Sequence, residues 1–374
     1  MKIAQIVYSG LSGVNSVAFS LVEADRKKEI DWIFVFYGIE ELLDDYRQKC
    51  ETLGIKCIFL KKKVQGSVDV SSHGKLFNIL KKEQPDGIIS HASVMIFTLA
   101  LYARFNKKCK IITTEHHANH LKRKSQWWLS KQFLRFSDSV VYLHEEYSLQ
   151  IQKKYPHNFR DEKVHIIPNG LDLQVFRPLE KETDPSSKKS KSKEFLIGMA
   201  ARFYSSKDVP TIFRTMQSMQ AEFPDEPIRF LLAGSGEMLE EWQDLAKELG
   251  IDQQVDFLGY LSEKALLEML HKLHIYVHST RGETMSMTIM QAQACGLPII
   301  ASNVSGVRKA VLPGNTGLLF DFGNQTELQD SIRALQTDPQ KRKYFGANSL
   351  KWASDNYSNE TMLKNYLKLI SPLL

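Results

Sequence analysis

Short apolar runs alternate along the chain with longer amphipathic stretches. Helical patterns such as 75–83 and 126–136 lie between the apolar runs of the first half. Those runs are IAQIVY (3–8), WIFVFY (32–37), KCIFL (56–60), GIIS (87–90), KIITT (110–114), SVVYL (139–143) and VHIIP (164–168). Each run has the length of a buried strand, so the pattern predicts a parallel sheet with helices on both faces.

The alternation stops over EKETDPSSKKSKSKE (180–194), which has no large apolar residue, and then starts again. The later runs are FLIGMA (195–200), IRFLLAG (228–234), VDFLG (255–259), IYVHS (275–279), PIIAS (298–302) and GLLF (317–320). We predict two Rossmann-like domains, 1–180 and 195–354, joined by a linker or mobile loop over 181–194. The 374 residues are also too many for one ordinary core. A last helix over about 355–374 is expected to pack back on the first domain.

The composition is that of a soluble globular protein, with 43% hydrophobic and 25% charged residues. No segment is expected to be a signal peptide or a membrane span. The four cysteines are scattered and form no CxxC pair, so the sequence predicts neither a zinc site nor a disulfide framework. A reducing, cytoplasmic setting is expected.

Positive charge is concentrated in the first half of the chain. Residues 1–170 contain 26 Lys and Arg against 18 Asp and Glu, whereas residues 171–374 contain 23 against 25. This asymmetry indicates an anionic partner or surface for the first half, although a basic solvated face explains the charge equally well. No nucleic-acid recognition module is present, so nucleic acid is not the expected partner.

Two tandem domains of this kind face each other across a cleft, and ligands of parallel sheets bind beyond the carboxyl ends of the strands. In the first domain, Gly10 and Gly13 follow the first run, and a helix is expected to start near Asn15. Glycine lets the backbone approach a ligand, and the NH groups of a helix start suit phosphate. The pattern is not GxGxxG, so a nicotinamide fingerprint is not indicated.

Two further loops of the first domain carry polar side chains. TTEHHANH (113–120) clusters one glutamate with three histidines, but no HExxH motif completes a zinc site. A histidine that donates a hydrogen bond to a substrate hydroxyl or phosphate is the favoured interpretation. HIIPNGLDLQVF (165–176) is either a ligand loop or a plain turn that leaves the domain.

In the second domain, Arg202 and Lys207 follow the first strand in GMAARFYSSKDVPTIF (198–213). The planar fork of arginine and the mobile charge of lysine suit a diphosphate, and the position at a strand end favours this role over ordinary surface chemistry. LAGSGEM (232–238) contains a GxG without a third glycine, which fits a loop that lines a nucleotide. The backbone from Phe257 to Tyr260 offers groups to the edge of a base.

The stretch RGETMSMTIMQAQACGLP (281–298) leaves another strand end. We expect Glu283 to be exposed at the cleft floor, just before a helix that starts near Met285–Ser286. The NH groups of the first turn suit the anionic part of a ligand. Gln291 lies two turns further on, on a face that looks back at the ligand. The residues expected on the buried side are Met287, Met290, Ala294 and Cys295.

In this order, the loops resemble those of retaining glycosyltransferase family 4, whose two-domain α/β fold is called GT-B. The resemblance covers nearly the whole chain and is strongest over 281–319. There the E-x7-E signature of the family reads ETMSMTIMQAQACGLP, followed by ASNVSGVRKAV and GNTGLLF. The resemblance implies hexosyl transfer from a nucleoside-diphosphate sugar, with UDP as the expected nucleotide, to an acceptor hydroxyl.

The resemblance also implies a role for each matching residue. Glu283 lies by the donor sugar, His116 lies near the transferred group, and Arg202 and Lys207 hold the diphosphate; these four are the implied catalytic residues. The residues implied to bind the nucleotide-sugar are Gly13, Arg202, Lys207, Gly234, Phe257, Leu258, Glu283, Thr284, Met285, Ser286 and Gln291. No metal and no cofactor is implied, since the nucleotide-sugar is a substrate and its leaving diphosphate takes the acceptor proton.

Several positions depart from the family pattern. Gln291 stands where a second acid usually binds the ribose; it keeps a carbonyl acceptor, so weaker donor binding is expected rather than lost chemistry. Lys309 stands where Glu is frequent, His274 where Asp is frequent, and Ser305 precedes Gly306 in place of a glycine. A non-catalytic GT-B relative, acting as a nucleotide-sugar-binding partner subunit, is therefore the second interpretation. A sugar-nucleotide epimerase would need acids at the cleft beyond Glu283, and the loops do not indicate them.

The first domain is expected to bind the acceptor, a sugar or a lipid-linked group, in the synthesis of cell-surface polysaccharide, lipopolysaccharide or glycolipid. HLKRKSQWWLSKQFLRF (120–136) mixes basic residues with tryptophans, which suits an anionic membrane interface. A solvated helix with its aromatic residues in the core explains the same pattern. The membrane interpretation predicts peripheral contact with the inner face of the cell membrane.

Overall fold

The computed structural model describes residues 1–10, 12–62, 69–179 and 194–371, which form two compact units. One unit comprises Met1–Asp172 with Tyr357–Leu374, and the other comprises Leu173–Asn356. The chain therefore changes unit at Asp172, a few residues ahead of the predicted boundary at 180. The predicted linker lies outside the described residues except for Glu194.

The N-terminal unit is built on a seven-stranded sheet whose neighbouring strands are all parallel. Its strands are β1 (Lys2–Tyr8), β2 (Asp31–Gly38), β3 (Lys56–Lys61), β4 (Gly87–Ser90), β5 (Lys110–Glu115), β6 (Ser139–Tyr142) and β7 (Val164–Ile166). Its first six helices are α1 (Gly13–Ala24), α2 (Asp44–Leu53), α3 (Val70–Glu83), α4 (Ile96–Phe105), α5 (Lys124–Phe136) and α6 (Glu145–Lys154). The strand order β3-β2-β1-β4-β5-β6-β7 reverses between β1 and β4, as in doubly wound folds.

The C-terminal unit repeats this plan with six parallel strands in the order β10-β9-β8-β11-β12-β13. Its strands are β8 (Phe195–Ala200), β9 (Ile228–Ala233), β10 (Val255–Gly259), β11 (Ile275–His278), β12 (Ile299–Ser302) and β13 (Gly317–Phe320). Its helices are α7 (Val209–Glu222), α8 (Leu239–Glu248), α9 (Glu263–Lys272), α10 (Met287–Ala294), α11 (Ser305–Arg308), α12 (Gln325–Gln336) and α13 (Pro339–Asn356). Two Rossmann-like domains with parallel sheets were predicted, and this fold class is confirmed.

Burial explains why the apolar runs became strands. All four residues of β4, β6, β11 and β12 are buried, as expected for central parallel strands covered on both faces. Helices attach through one apolar side: α7, for example, buries Ile212, Phe213 and Met216 against the sheet core. Continuous apolar runs specify the buried strands, and the 3.6-residue period specifies which side of each helix packs on them.

The chain ends in α14 (Asn359–Ile370), which belongs to the N-terminal unit. The buried Tyr366 hydroxyl lies 2.8 Å from the Thr114 hydroxyl on β5, so the helix is tied to the central sheet. The start of this helix packs against the loop at Asn169-Gly170. The Gly170 N–H donates to Met362 Sδ at 3.0 Å, and a Cβ at Gly170 would meet the Asn359 backbone at 2.5 Å. Gly170 therefore has a structural role, which favours the interpretation of 165–176 as a plain turn.

Candidate active site

The loops that follow β8 and β11 are joined to each other at the carboxyl edge of the C-terminal sheet. These strands are neighbours in the sheet, and Lys207 and Thr280 form an isolated antiparallel bridge between their loops. The Arg281 N–H donates to the Ser206 carbonyl at 2.9 Å and strengthens this pairing. Residues predicted from two separate stretches of sequence are thereby brought together.

Lys207, Glu283 and His278 form one charged cluster at this edge. Lys207 Nζ lies 2.5 Å from Glu283 Oε2. His278 Nε2 lies 3.2 Å from the same carboxylate oxygen and 3.3 Å from Lys207 Nζ. His278 Nδ1 is buried and has no hydrogen-bond partner in the described part of the chain. The arrangement fixes both predicted charges on a rigid strand end.

Burial raises the pKa of the Glu283 carboxyl, but the charge of Lys207 and the hydrogen bond to His278 outweigh it, so the pKa is lowered to about 2. Burial and the neighbouring Lys207 charge lower the pKa of His278, although Glu283 opposes them. At neutral pH the cluster therefore holds one carboxylate, one cation and a neutral imidazole.

The expectation that Glu283 is exposed was wrong. Its side chain is 22% exposed and pairs with Lys207 and His278. His278 was not identified from the sequence because it lies near the end of a predicted apolar strand and was counted as part of it. In the structure His278 is 1% exposed. A polar residue at the carboxyl end of a buried parallel strand is the signal that would have identified it.

Arg202 follows β8 directly and lies on the same loop as Lys207. Its guanidinium group stacks over the Tyr204 ring at 4.4 Å and contacts the Tyr204 hydroxyl. Stacking holds the planar group in one orientation, which suits the recognition of an oxyanion. The structure therefore places both predicted cations on one loop after the first strand of this unit.

The GxG loop after β9 packs on the Arg202 loop. Gly234 has φ +133°, and a Cβ there would overlap the Ala201 carbonyl oxygen. Gly236 has φ +151°, and its Cβ would lie 2.5 Å from the Phe203 carbonyl oxygen. These glycines are required by close packing of two backbone segments, and this accounts for the motif without a phosphate.

Phe257 and Leu258 lie on β10, the edge strand of the sheet, where the register shifts between Phe257 and Gly259. The Gly234 N–H donates to the Gly259 carbonyl at 2.7 Å, so this backbone acceptor is used internally. Leu258 remains 37% exposed beside the shifted register. Of the predicted backbone segment from Phe257 to Tyr260, the Gly259 carbonyl is therefore already hydrogen-bonded within the protein.

Helix α10 begins at Met287, with Ser286 as its N-cap, close to the predicted start. The buried Ser286 hydroxyl accepts from the Ile289 N–H at 3.4 Å, and Thr284 just before it is also buried. The four residues predicted on the buried side are buried, and so is Gln291 at 6% exposure. Gln291 Oε1 has no hydrogen-bond partner among residues that the structure describes. A buried, unpaired carbonyl oxygen is costly and suits a ligand hydroxyl.

Gly306, at the start of α11, holds the backbone of the Glu283 loop in place. A Cβ there would overlap the Glu283 carbonyl oxygen and lie 2.6 Å from the Thr284 carbonyl oxygen. This close approach explains why residue 306 is a glycine.

Gly306→Ala is therefore expected to displace the Glu283 loop and to lower the free energy of unfolding by about 1–3 kcal/mol. Gly74→Ala is the matched control, because Gly74 lies inside α3 and a Cβ added there would meet nothing within 4 Å. That change is expected to stabilise by about 0.5–1 kcal/mol. Urea unfolding measures both, and a Gly306→Ala protein as stable as wild type would contradict the packing argument.

In the N-terminal unit, Gly13 is the first residue of α1, with Ser12 as N-cap. The Asn15 side chain donates to the carbonyls of Tyr8 and Gly10 at 2.8 and 3.1 Å. These bonds tie Asn15 on α1 to the end of β1 and to Gly10. Helix α1 starts at Gly13, two residues before the predicted start near Asn15. Gly13 belongs to a different unit from Lys207 and Glu283.

His116 is linked to a row of buried polar side chains that crosses three neighbouring strands. Gln5 Nε2 donates to the Ala18 carbonyl at 2.9 Å, which turns Gln5 Oε1 towards His91 Nε2 at 3.1 Å. Since an amide oxygen only accepts, His91 carries its proton on Nε2 and accepts at Nδ1. His116 Nε2, 2.8 Å from that nitrogen, must therefore donate to His91.

This row corrects the expectation that the strand-end histidine donates to a ligand. The Nε2 proton of His116 is used by His91, so the other ring nitrogen, Nδ1, is an acceptor. Burial lowers the pKa of His116 to about 4 and that of His91 well below its usual value. Both rings are neutral at pH 7.

The lowered pKa predicts that His116 loses part of its stabilising contribution in mild acid. The unfolded ring takes up a proton near pH 6.5 and the folded ring only near pH 4, so this contribution is full above 6.5 and falls as the pH drops towards 4. Between pH 7 and 5 the difference amounts to as much as about 2 kcal/mol. Urea unfolding at both pH values should show a smaller loss for His116→Gln than for wild type. His157→Gln, at an exposed position, is the control and should lose as much free energy of unfolding between pH 7 and 5 as wild type does. Equal losses in the His116→Gln and His157→Gln proteins would contradict the lowered pKa of His116.

Glu115 and Lys122 form a buried ion pair behind His116. Lys122 Nζ lies 2.9 Å from Glu115 Oε2 and donates to Ser130 Oγ at 2.9 Å, with no exposed side-chain area. Burial raises the pKa of Glu115, but the His117 hydrogen bond and the Lys122 charge lower it to about 2. Lys122 was expected among the surface cations of 120–136, and that expectation was wrong. Within the described ranges, no group of three or more His, Cys, Asp or Glu is arranged to hold a metal ion.

Comparison with known proteins gives matches over both units. Residues 180–352 match the family model described as Glycosyl transferases group 1, and residues 11–175 match Glycosyltransferase Family 4. An uncharacterized glycosyltransferase of Methanocaldococcus jannaschii is 26% identical over 280 residues, covering 72% of this chain and 70% of that protein. The D-inositol 3-phosphate glycosyltransferase of Stackebrandtia nassauensis is 29% identical over 52% of this chain, but the match spans only 45% of that protein.

Solved structures share the fold at low sequence identity. A crystal structure of Anabaena HepE in complex with UDP and glucose superposes with a TM-score of 0.81 at 17% identity, covering 99% of both chains. Sucrose-phosphate synthase from Thermosynechococcus elongatus gives a TM-score of 0.80 at 18% identity, covering 100% of this chain and 99% of that one. At such identity the likeness establishes the architecture and leaves the chemistry to the residues of the site.

Proposed function

We propose that this chain, a glycosyltransferase with the GT-B fold, moves a hexosyl group from a UDP-sugar to an acceptor hydroxyl with retention at the anomeric carbon. The observation that carries the proposal is the cluster of Lys207, Glu283 and His278 on two joined strand-end loops. It places one fixed cation and one fixed carboxylate where ligands of parallel sheets bind.

Each residue of the C-terminal unit has a defined part in the proposed reaction. Lys207 and Arg202 bind the diphosphate and stabilise the charge that develops as the bond between the anomeric carbon and the β-phosphate oxygen breaks. Glu283 accepts hydrogen bonds from hydroxyls of the donor sugar, and His278 holds its orientation. The NH groups at the start of α10, next to Met285 and Ser286, face the same charge.

The proposed proton transfer uses no protein base. The acceptor oxygen bonds to the anomeric carbon on the face that the diphosphate leaves, and its proton passes to the departing β-phosphate oxygen. No metal is needed in this scheme, because the two cations neutralise the leaving group. Two carboxylates flanking the bond, as in glycosidases, are not required.

Gln291 is proposed to bind the ribose, with Gly234, Phe257 and Leu258 beside the nucleotide. Its unpaired Oε1 would accept from a ribose hydroxyl. UDP is the proposed nucleotide; HepE, which has the same fold, was crystallised with UDP and with UDP-glucose.

Gln291→Glu is expected to bind UDP about three- to tenfold more tightly, because charge-assisted hydrogen bonds to hydroxyls are stronger than neutral ones. The ligand-free variant should melt at a lower temperature, since the new carboxylate is buried without a cation. Calorimetric titration measures the affinity. Gln293→Glu is the matched control: Gln293 is buried on the same helix but donates to the Ala310 carbonyl at 2.9 Å, so its change should lower stability and leave UDP affinity unaltered.

The N-terminal unit is proposed to receive the acceptor, with His116 near the transferred group and Gly13 at the start of α1. A sugar or lipid-linked acceptor in cell-surface polysaccharide, lipopolysaccharide or glycolipid synthesis fits this proposal. The proposed location is the cytoplasmic side of the cell membrane, with peripheral contact. No helix in the described part of the chain is long and apolar enough to cross a bilayer.

Turnover with a panel of UDP- and GDP-sugars tests the function. Release of UDP together with an α-linked product from an α-linked donor, read by proton NMR, is the expected result. Binding of UDP without turnover of any donor would instead favour the nucleotide-sugar-binding partner subunit, which Gln291 and Lys309 suggested from the sequence.

A further inference from the structure

A strip of apolar side chains covers the outer side of α4. Phe97, Leu101 and Phe105 follow one another at four-residue spacing, so they lie on one side of the helix. They are 40%, 50% and 75% exposed. The other side of α4, with Leu99 and Tyr102, is buried in the core of the N-terminal unit. Helix α4 therefore has two apolar sides, one buried in the core and one exposed on the surface.

Aromatic contacts extend the strip onto the neighbouring helices. The Phe97 ring lies 5.4 Å from Trp128 on α5, which is 52% exposed. The Phe105 ring lies 6.1 Å from Phe77 on α3. Phe97, Leu101, Phe105 and Trp128 are called the apolar strip here. Single exposed apolar residues are ordinary, but a contiguous set marks a surface for interaction.

The chain around the strip is almost purely basic. Between Asp86 and Asp138 the sequence contains nine Lys and Arg and one carboxylate, Glu115. Glu115 is buried and paired with Lys122, so it does not offset the charge outside. The exposed basic residues are Arg104, Lys107, Lys108, Arg123, Lys124, Lys131 and Arg135. None of these forms an ion pair with another residue that the structure describes.

We propose that the apolar strip and these basic residues dock the N-terminal unit on an anionic lipid bilayer. The four apolar side chains would enter the boundary between headgroups and acyl chains, while the cations meet lipid phosphates. Apolar insertion and charge are the two signals that stable peripheral binding requires.

Charge favours an anionic bilayer over a second copy of this chain. A second copy of this chain would bring the same uncompensated positive face to the contact, and like charges would oppose its closure. A bilayer with anionic headgroups supplies the complementary sign over the whole surface. The binding surface is centred on α4 and includes only the exposed part of the predicted segment 120–136, of which Lys122 and Phe133 are buried.

Co-sedimentation of the full chain with phosphatidylcholine vesicles, with and without phosphatidylglycerol, tests the proposal. Leu101→Gln should weaken binding to the anionic vesicles at least about fivefold, because it places a polar amide at the membrane boundary. Leu149→Gln on α6 is the matched control, since Leu149 is similarly exposed at 54% and lies outside the strip.

A second pair of variants tests the charge. Lys131→Glu/Arg135→Glu reverses two exposed charges one turn apart near the end of α5, and Lys364→Glu/Lys368→Glu does the same on α14. The first double variant should lose at least about tenfold in affinity for anionic vesicles, and the second should keep wild-type binding.

Wild-type binding that requires phosphatidylglycerol, falls with salt and is weakened by Leu101→Gln and by Lys131→Glu/Arg135→Glu supports the proposal. It is overturned if the wild-type chain stays in the supernatant, or if the two control variants lose as much binding as these two test variants. It is also overturned if Leu101→Gln dissolves a dimer seen in light scattering while vesicles bind neither protein. UDP affinity should be equal in all variants, so these results do not depend on the proposed donor site.

Discussion

Lys207→Ala is expected to lower kcat/KM for sugar transfer by about 10²–10³-fold, the usual effect of removing one preorganised group that stabilises developing charge. Lys207 Nζ is held 2.5 Å from Glu283, so its position is set before the donor binds. Without it, the leaving diphosphate keeps only Arg202 and the start of α10. Steady-state kinetics with the donor identified by screening measure the effect.

The same change should also lower stability, because it leaves Glu283 partly buried without its cation. Lys207→Ala/Glu283→Gln removes both charges and should recover the melting temperature but not turnover, which separates the chemistry from the folding. Lys247→Ala is the surface control, since Lys247 is 68% exposed and should leave both properties unchanged. Wild-type rates in folded Lys207→Ala protein would refute the assignment of this residue.

Lys122→Ala is expected to lower the free energy of unfolding by about 3–5 kcal/mol, because it leaves the Glu115 carboxylate buried without a cation. The Lys122 side chain has no exposed area and lies 2.9 Å from both Glu115 and Ser130. Urea unfolding monitored by circular dichroism measures the change.

Glu115→Leu/Lys122→Met should recover most of this loss, since an apolar pair of similar volume replaces two desolvated charges. Lys124→Ala, at an exposed position two residues further on, should stay within about 0.5 kcal/mol of wild type. A Lys122→Ala protein no less stable than Lys124→Ala would show that the pair contributes nothing to folding.

The architecture was readable from the sequence because apolar periodicity reports burial directly. The run GIIS became β4 at its predicted bounds, and FLIGMA became β8. That Lys207 and Glu283 lie at the same sheet edge followed as well, because each comes shortly after a predicted strand and parallel strands carry their carboxyl ends to one edge. The ion pair between Lys207 and Glu283 was not predictable, because the spacing of residues along the sequence does not give the distance between their side chains.

Buried polar networks were not readable from the sequence. Gln5 lies within an apolar strand and His91 begins a loop, so the sequence gives no sign that either residue interacts with His116. Only the fold shows that Gln5 Oε1 lies 3.1 Å from His91 Nε2 and that His91 Nδ1 lies 2.8 Å from His116 Nε2. Lys122 was placed among surface cations because its partner, Glu115, lies on a strand that the local helical pattern does not include. Pairing between distant segments decides whether a charge is exposed, and a single sequence does not show it.

Local motifs were ambiguous where packing and ligand binding require the same residue. The GxG at Gly234 and Gly236 fits a nucleotide loop, yet both glycines are also demanded by the backbone of 201–203. The Asn169-Gly170 turn likewise serves the docking of α14. A glycine signals close approach of the backbone, and only the fold shows what approaches.

Calorimetric titration of UDP and UMP tests the central claim, that Lys207 and its loop bind the diphosphate of the donor. Wild-type protein is expected to bind UDP more tightly than UMP, and Lys207→Ala is expected to lose at least about tenfold in UDP affinity while UMP affinity stays the same. Equal UDP affinity in wild-type and folded Lys207→Ala protein would contradict it.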